Sequence, residues 1–270
     1  MLISLAKVVV KVVPESAGAA LTRAMASLTR RPPVSAFERE SMTQASQLQY
    51  GENGGNVAWA WGEGRLVIFV HGWGGRAAQM APLAAQVARL GFRSIAIDVT
   101  GHGDSPKWRT SWADFLNDIA ALSQSLHEEI YAYVGHSAGG LAVMAARQRR
   151  GIHAPRYFCV AAPSYPFPMI NAIERKLNPG QAIVESCKTT IAKQFGTTWE
   201  QLQNGVCFEN AGPDLLLCYD EADRFVDHSE GNRIQSLCPG ARLVKTRGYG
   251  HQNILAAPEL ARAMSEFLNP

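Results

Sequence analysis

The 270-residue chain carries little charge and concentrates none of it: Lys and Arg total 26, Asp and Glu 23, and the formal net charge is +3. Its basic clusters, Arg30-Arg31 and Arg147 to Arg150, are short and suit helix ends or solvated faces, so no nucleic-acid partner is expected. Cysteine is scarce too. Cys159, Cys187, Cys207, Cys218 and Cys238 form no Cys-x-x-Cys pair or zinc-like spacing, so no metal is expected and the thiols are expected to be reduced. A Cys187–Cys207 bridge in an oxidising compartment stays open. Long apolar runs are missing: Lys7 and Lys11 interrupt the N-terminal stretch Met1 to Pro14, where a spanning helix would need about 20 apolar residues. A signal peptide would place its basic residues before an unbroken apolar region, so the expectation is a cytoplasmic protein with no membrane span. Also lacking are a Gly-x-x-x-x-Gly-Lys phosphate loop, a dinucleotide fingerprint, an internal repeat and a low-complexity tract, and no cofactor is implied.

What is present is an ordinary globular composition, 47% hydrophobic and 18% charged, long enough for one large domain with a continuous core. From residue 56 short apolar runs alternate with segments of helical period, the pattern of a mostly parallel sheet covered by helices on both faces, an α/β fold. The predicted strands are Asn56 to Trp61, Leu66 to Val70, Ser94 to Asp98, Ile130 to Val134, Tyr157 to Ala161, Leu215 to Tyr219 and Arg242 to Thr246. Between them, Met80, Leu83, Val87 and Leu90 share a helix face ahead of Gly91, and Trp112, Phe115, Ile119, Leu122 and Leu126 share another behind Ser111. A last helix opens near Pro258.

Two segments break the alternation. Residues 1–55 read as an irregular N-terminal extension packed on the core, leaving 56–270 as the main domain. Residues 164–213 separate two strands by far more than the usual few residues and read as a small cap inserted over the sheet.

Gly135-His136-Ser137-Ala138-Gly139 lies between a predicted strand and a predicted helix. That is the setting in which a Gly-x-Ser-x-Gly run exposes a serine on a tight, strained turn, with small neighbours letting strand and helix approach. His71-Gly72-Trp73-Gly74-Gly75 follows another strand, where glycines let backbone amides face a ligand. With these two runs, Asp98-Val99-Thr100-Gly101-His102-Gly103-Asp104-Ser105, Asp220-Glu221-Ala222-Asp223-Arg224-Phe225-Val226 and Gly250-His251, residues 55–270 resemble the α/β-hydrolase superfamily, in particular small bacterial hydrolases of unassigned substrate.

The resemblance implies a serine hydrolase in which Ser137 is the nucleophile, His251 the general base and Asp223 its acidic partner, in the chain order Ser, Asp, His. Asp220 is the competing acid and His228 the competing base. The oxyanion is expected on the amides of Ala138 and Trp73. His71 and His102 are expected to be structural, and Asp98 and Asp104 are explained by a turn better than by a two-carboxylate or metal site. The expected reaction is hydrolysis of a small carboxylic ester through an acyl-enzyme. A thioesterase or carbon–carbon bond hydrolase on the same three residues is the alternative, followed by a non-catalytic binding protein. Oligomeric state is left open.

Overall fold

The computed structural model describes residues 2–269. Eight strands form one sheet in the order β1-β2-β4-β3-β5-β6-β7-β8. They are β1 (Ser46–Tyr50), β2 (Asn56–Trp61), β3 (Arg65–Val70), β4 (Phe92–Asp98), β5 (Ile130–His136), β6 (Arg156–Val160), β7 (Leu215–Asp220) and β8 (Arg242–Thr246). β2 runs antiparallel to both β1 and β4, and every other pairing is parallel. Parallel strands covered on both faces need apolar residues at consecutive positions rather than alternate ones. Leu66 to Val70 and Leu215 to Cys218 meet that need, and all are buried.

Three helices precede the sheet: α1 (Leu2–Val12), α2 (Glu15–Ala26) and α3 (Ala36–Met42). α4 (Ala77–Arg89), α5 (Trp112–Ser125) and α6 (Ala138–Arg149) connect β3 to β4, β4 to β5 and β5 to β6. Between β6 and β7 come α7 (Phe167–Leu177), α8 (Gln181–Gln194) and α9 (Trp199–Gln203); α10 (Ser229–Leu237), α11 (Gly250–Asn253) and α12 (Pro258–Leu268) complete the chain. One core lies on the sheet face covered by α5 and α6, the other under α4 and α12. The five cysteines are buried and free.

The N-terminal segment departs from its expected irregularity, being largely helical and ending in the edge strand β1. α1 and α2 pack on α7 and α8 of the β6–β7 insertion, while α3 packs on α4. The contact is close: a Cβ on Gly18 would lie 2.7 Å from Ile183 Cδ1, and Arg23 donates to Ser186 Oγ at 3.1 Å. Small Ala, Gly and Ser residues dominate α2, so its buried face lacks the large apolar residues by which a helix period is read. β1 escaped notice because its polar residues face outward; only Tyr50 is buried, and its hydroxyl donates to the Asp98 carbonyl.

With β4 and β5 on opposite sides of β3, the chain reverses its winding direction there. The crevice at the carboxyl ends of strands beside such a reversal is where open α/β sheets bind ligands. The loops after β3, β5, β7 and β8 all emerge at that end.

A Cβ on Gly139 would sit 2.3 Å from the Val70 carbonyl oxygen and 2.5 Å from that of His71, both backbone atoms of the central strand and its loop. Gly139→Ala is therefore expected to cost more than about 3 kcal/mol in urea denaturation, since neither neighbour is a side chain that can turn away. Gly180→Ala, where nothing lies within 4 Å, should change stability by less than about 1 kcal/mol.

Candidate active site

β5 delivers Ser137 directly into α6, and the join is strained. Ser137 has φ 53° and ψ −122°, a region that residues with a Cβ avoid. It is held there by its own N–H donating to Val160 O at 2.8 Å and by its carbonyl accepting from Gly140 N–H at 3.0 Å. Gly135 and Gly140 make the turn possible: a Cβ on Gly135 would lie 2.4 Å from Gly140 Cα. The hydroxyl consequently projects from the end of the sheet, half-buried.

Ser137 Oγ lies 2.9 Å from His251 Nε2, and His251 Nδ1 lies 2.6 Å from Asp223 Oδ2. The other Asp223 oxygen accepts from Phe225 N–H at 2.7 Å and Val226 N–H at 3.0 Å, so this buried carboxylate is fully engaged. An acceptor at Nδ1 assigns the imidazole proton to that nitrogen and leaves Nε2 free to take the serine proton.

Asp220, the competing acid, does not face His251. Its carboxylate accepts from Ala222 N–H at 2.9 Å, Gly250 N–H at 2.8 Å, Thr246 Oγ1 at 2.7 Å and Tyr249 N–H at 3.2 Å. Burial works to raise its pKa, but these donors, led by Gly250, together hold the carboxyl below its ordinary value. Asp220 thus ties the β7 loop to the backbone that carries His251. His228 sits at the start of α10 and makes no bond to Ser137 among the described residues.

His136, which the sequence reading set aside, packs its ring 4.9 Å from that of His251, and its Nε2 donates to the His251 carbonyl at 2.8 Å. Burial, and then repulsion from His251, push its pKa down to about 3. His71 and His102 brace the neighbouring loop. His71 Nδ1 donates to Gly72 O at 2.7 Å while its Nε2 accepts from Val99 N–H at 3.2 Å, and His102 Nε2 accepts from Gly74 N–H at 2.9 Å. Burial lowers both, His102 to about 4, so both are neutral acceptors near pH 7.

Their bracing leaves the Trp73 and Ala138 amides without an acceptor among the described residues. The loop lies against the serine: a Cβ on Gly72 would stand 2.9 Å from Ser137 Cβ. Asp98 is spent on structure, accepting from Ala77 N–H at 2.6 Å and Asp104 N–H at 3.0 Å. No group of three metal-binding side chains occurs among the described residues. The assembled chemistry is a hydroxyl with a base behind it, a carboxylate orienting the base, and two unpaired amides alongside.

Residues 65–182 match a family model described as the alpha/beta hydrolase fold. The chain has the α/β-hydrolase fold. It is 31% identical over 138 residues to a 2-(acetamidomethylene)succinate hydrolase of Mesorhizobium japonicum, a match covering 50% of this chain and 49% of the relative, so the similarity spans about half of that protein's length. A non-heme chloroperoxidase of Kitasatospora aureofaciens is 27% identical over 194 residues, covering 70% of this chain and 68% of the relative. A bromoperoxidase structure from Bacillus anthracis superposes with a TM-score of 0.62 at 16% identity, covering 84% of this chain and all of that one.

Three histidines held neutral carry a consequence for stability. On unfolding, their pKa values return to about 6.5, so between about pH 4 and 6.5 the unfolded chain binds protons that the folded chain refuses. Their stabilisation is therefore full above about pH 6.5 and declines as pH falls. Asp98 and Asp118, both raised by burial to about 6, act oppositely and lose stability as pH rises through the same window. Three groups against two leave about one net proton, so urea denaturation at pH 5 and pH 7 should show stability falling toward acid by about 1 kcal/mol per pH unit.

Proposed function

We propose that the protein is a serine hydrolase that cleaves small carboxylic esters through an acyl-enzyme. The observation that carries this reading is the unbroken hydrogen-bonded series Ser137 Oγ, His251 Nε2, His251 Nδ1, Asp223 Oδ2, at 2.9 and 2.6 Å. A serine hydroxyl is a weak nucleophile at neutral pH and needs a base in hydrogen-bond reach; His251 meets that condition in the tautomer that Asp223 imposes.

In the first step the Ser137 oxygen bonds to the ester carbonyl carbon as its proton passes to His251 Nε2. The carbonyl electron pair moves onto oxygen, where the Trp73 and Ala138 amides donate to it; one such donor contributes about 2.7–4 kcal/mol in the transition state. The tetrahedral intermediate collapses, the carbon–oxygen bond to the alcohol breaks, and His251 returns the proton to the departing oxygen. Water then repeats the attack, with His251 as base again, releasing the acid and restoring Ser137. Asp223 stabilises the imidazolium that forms twice in the cycle. The relatives' names span hydrolase and peroxidase activities, so the ester reading rests on this chain's own geometry.

Short-chain 4-nitrophenyl esters test the proposal. The native chain should release nitrophenol, and a fluorophosphonate should add its phosphonyl mass to the peptide containing Ser137. Ser137→Ala should abolish both, His251→Ala should lower kcat by about 10⁴ or more, and His228→Ala should leave turnover within a few-fold. A native chain inert to esters of every acyl length would sink the assignment.

The two aspartates should separate in kind. Asp223→Ala removes the group on Nδ1 and should lower kcat by about 10⁴. Asp220→Ala removes only the anchor of the Gly250 loop, so its loss should be smaller and accompanied by a lower melting temperature. Equal losses in kcat from the two variants would assign the acid wrongly.

A further inference from the structure

A cleft of about 370 Å³ is walled by α2, α7, α8 and the segment entering α5, and it reaches Trp73, whose loop lies against the serine. Its volume lies within the range of small-molecule sites. Most of its surface is apolar, supplied by residues such as Met169, Ile173 and Ile191. Among the lining residues, Trp112 and Thr110 are each only 3% exposed, yet Trp112 Nε1 and Thr110 Oγ1 have no hydrogen-bond partner among the described residues. An indole N–H can only donate, and a buried donor left unpaired costs about 1–3 kcal/mol. The Ser27 and Thr190 hydroxyl protons are already spent on the Ala24 and Ser186 carbonyls. Arg23 and Arg109 also line the cleft, with no Asp or Glu among its lining residues. Arg23 gives one N–H to Ser186 Oγ and keeps the rest of its guanidinium for a ligand.

The residues that line the cleft identify the part of the substrate it takes. His251 must hand its proton to the leaving oxygen, so the alcohol departs on the His251 side. The rings packed around His251, those of Phe225 and His136, do not line the cleft. Trp73 does, and its amide is one of the two placed to hold the oxyanion. An acyl chain on Ser137 that avoids the His251 side would therefore pass Trp73 to reach the cleft.

We infer that the cleft binds the acid part of the substrate and that this acid bears a carboxylate at its far end, received by Arg23 with Arg109 and by the Trp112 and Thr110 donors. This deepens, and rests on, the ester-hydrolase reading above. It makes the N-terminal helix α2 part of the substrate site, and it favours ω-carboxyacyl esters over neutral acyl esters of equal length.

Mono-4-nitrophenyl esters of the linear dicarboxylic acids from adipic to sebacic, each paired with its ω-methyl ester, provide the test. The quantity read is the ratio of kcat/KM for the free-carboxylate ester to that for the methylated one. At its best chain length the native protein should show a ratio of about ten or more. Arg23→Gln should lower the ratio at least five-fold, Arg23→Lys should restore part of it, and Trp112→Phe, which keeps a ring but removes the N–H, should also lower it. A ratio at or below one at every length, or a ratio untouched by Arg23→Gln, would overturn the inference.

Failure of the ester reading itself is told apart by binding. Tryptophan fluorescence of Ser137→Ala, titrated with adipate through sebacate and with their dimethyl esters, should respond saturably to at least one free diacid and lose that response when Arg23→Gln is added. If no ester is turned over yet this binding holds, the cleft assignment stands and the reaction is wrong. Absence of diacid binding overturns the cleft assignment whatever the esters do.

Discussion

The close approach of α6 to the central strands is the constraint on which the site depends. Gly139 stands where any Cβ would enter the Val70 and His71 carbonyls, and Gly135 where it would enter Gly140. That contact turns the chain at Ser137 through a backbone conformation of positive φ. The strain is offset by the surrounding packing, chiefly the buried face of α6 from Leu141 to Ala146. In return, the serine oxygen stands clear of both strand and helix, and the Ala138 amide at the first turn of α6 is left unpaired. An exposed hydroxyl and an unpaired amide thus arise from one turn.

Around it, polar groups are divided between those that act and those that hold. His71, His102 and His136 are buried and neutral; they serve as bonds between loops after β3, β4, β5 and β8. Asp98 and Asp220 do similar work, each accepting several backbone N–H groups across chain breaks of secondary structure. The resulting network restricts His251 and the Trp73 loop to one geometry, which an acyl transfer needs because its hydrogen bonds must be in place before charge develops. Among the described residues only His251 reaches Ser137 Oγ, with Asp223 behind it on Nδ1.

The strands of the sheet were legible because two covered faces demand continuous apolar runs, and Leu66 to Val70 or Leu215 to Cys218 can hardly be anything else. The β6–β7 insertion was legible as a gap in the alternation. β1 was not, since an edge strand with three exposed polar residues out of five carries little burial signal. Nor was α2, whose buried positions are small: Gly18, Ala19 and Thr22 pack by closeness rather than by bulk. The bond from His136 to the His251 carbonyl was not legible either, since it joins residues 115 positions apart.

By itself the sequence determined seven of the eight strands, the serine at its turn and the histidine after the last strand, because each depends on local spacing: a strand's apolar run or glycines at fixed offsets. Tertiary structure alone separated Asp220 from Asp223, which lie three residues apart in one loop: Asp223 faces His251 and Asp220 faces the Tyr249–Gly250 backbone. It also placed the N-terminal helices against the β6–β7 insertion, bringing Arg23 to the same cleft as Trp73 and Trp112. Contacts between segments far apart in the chain depend on complementary shape once the sheet has formed, and no periodicity along one segment records the surface of another.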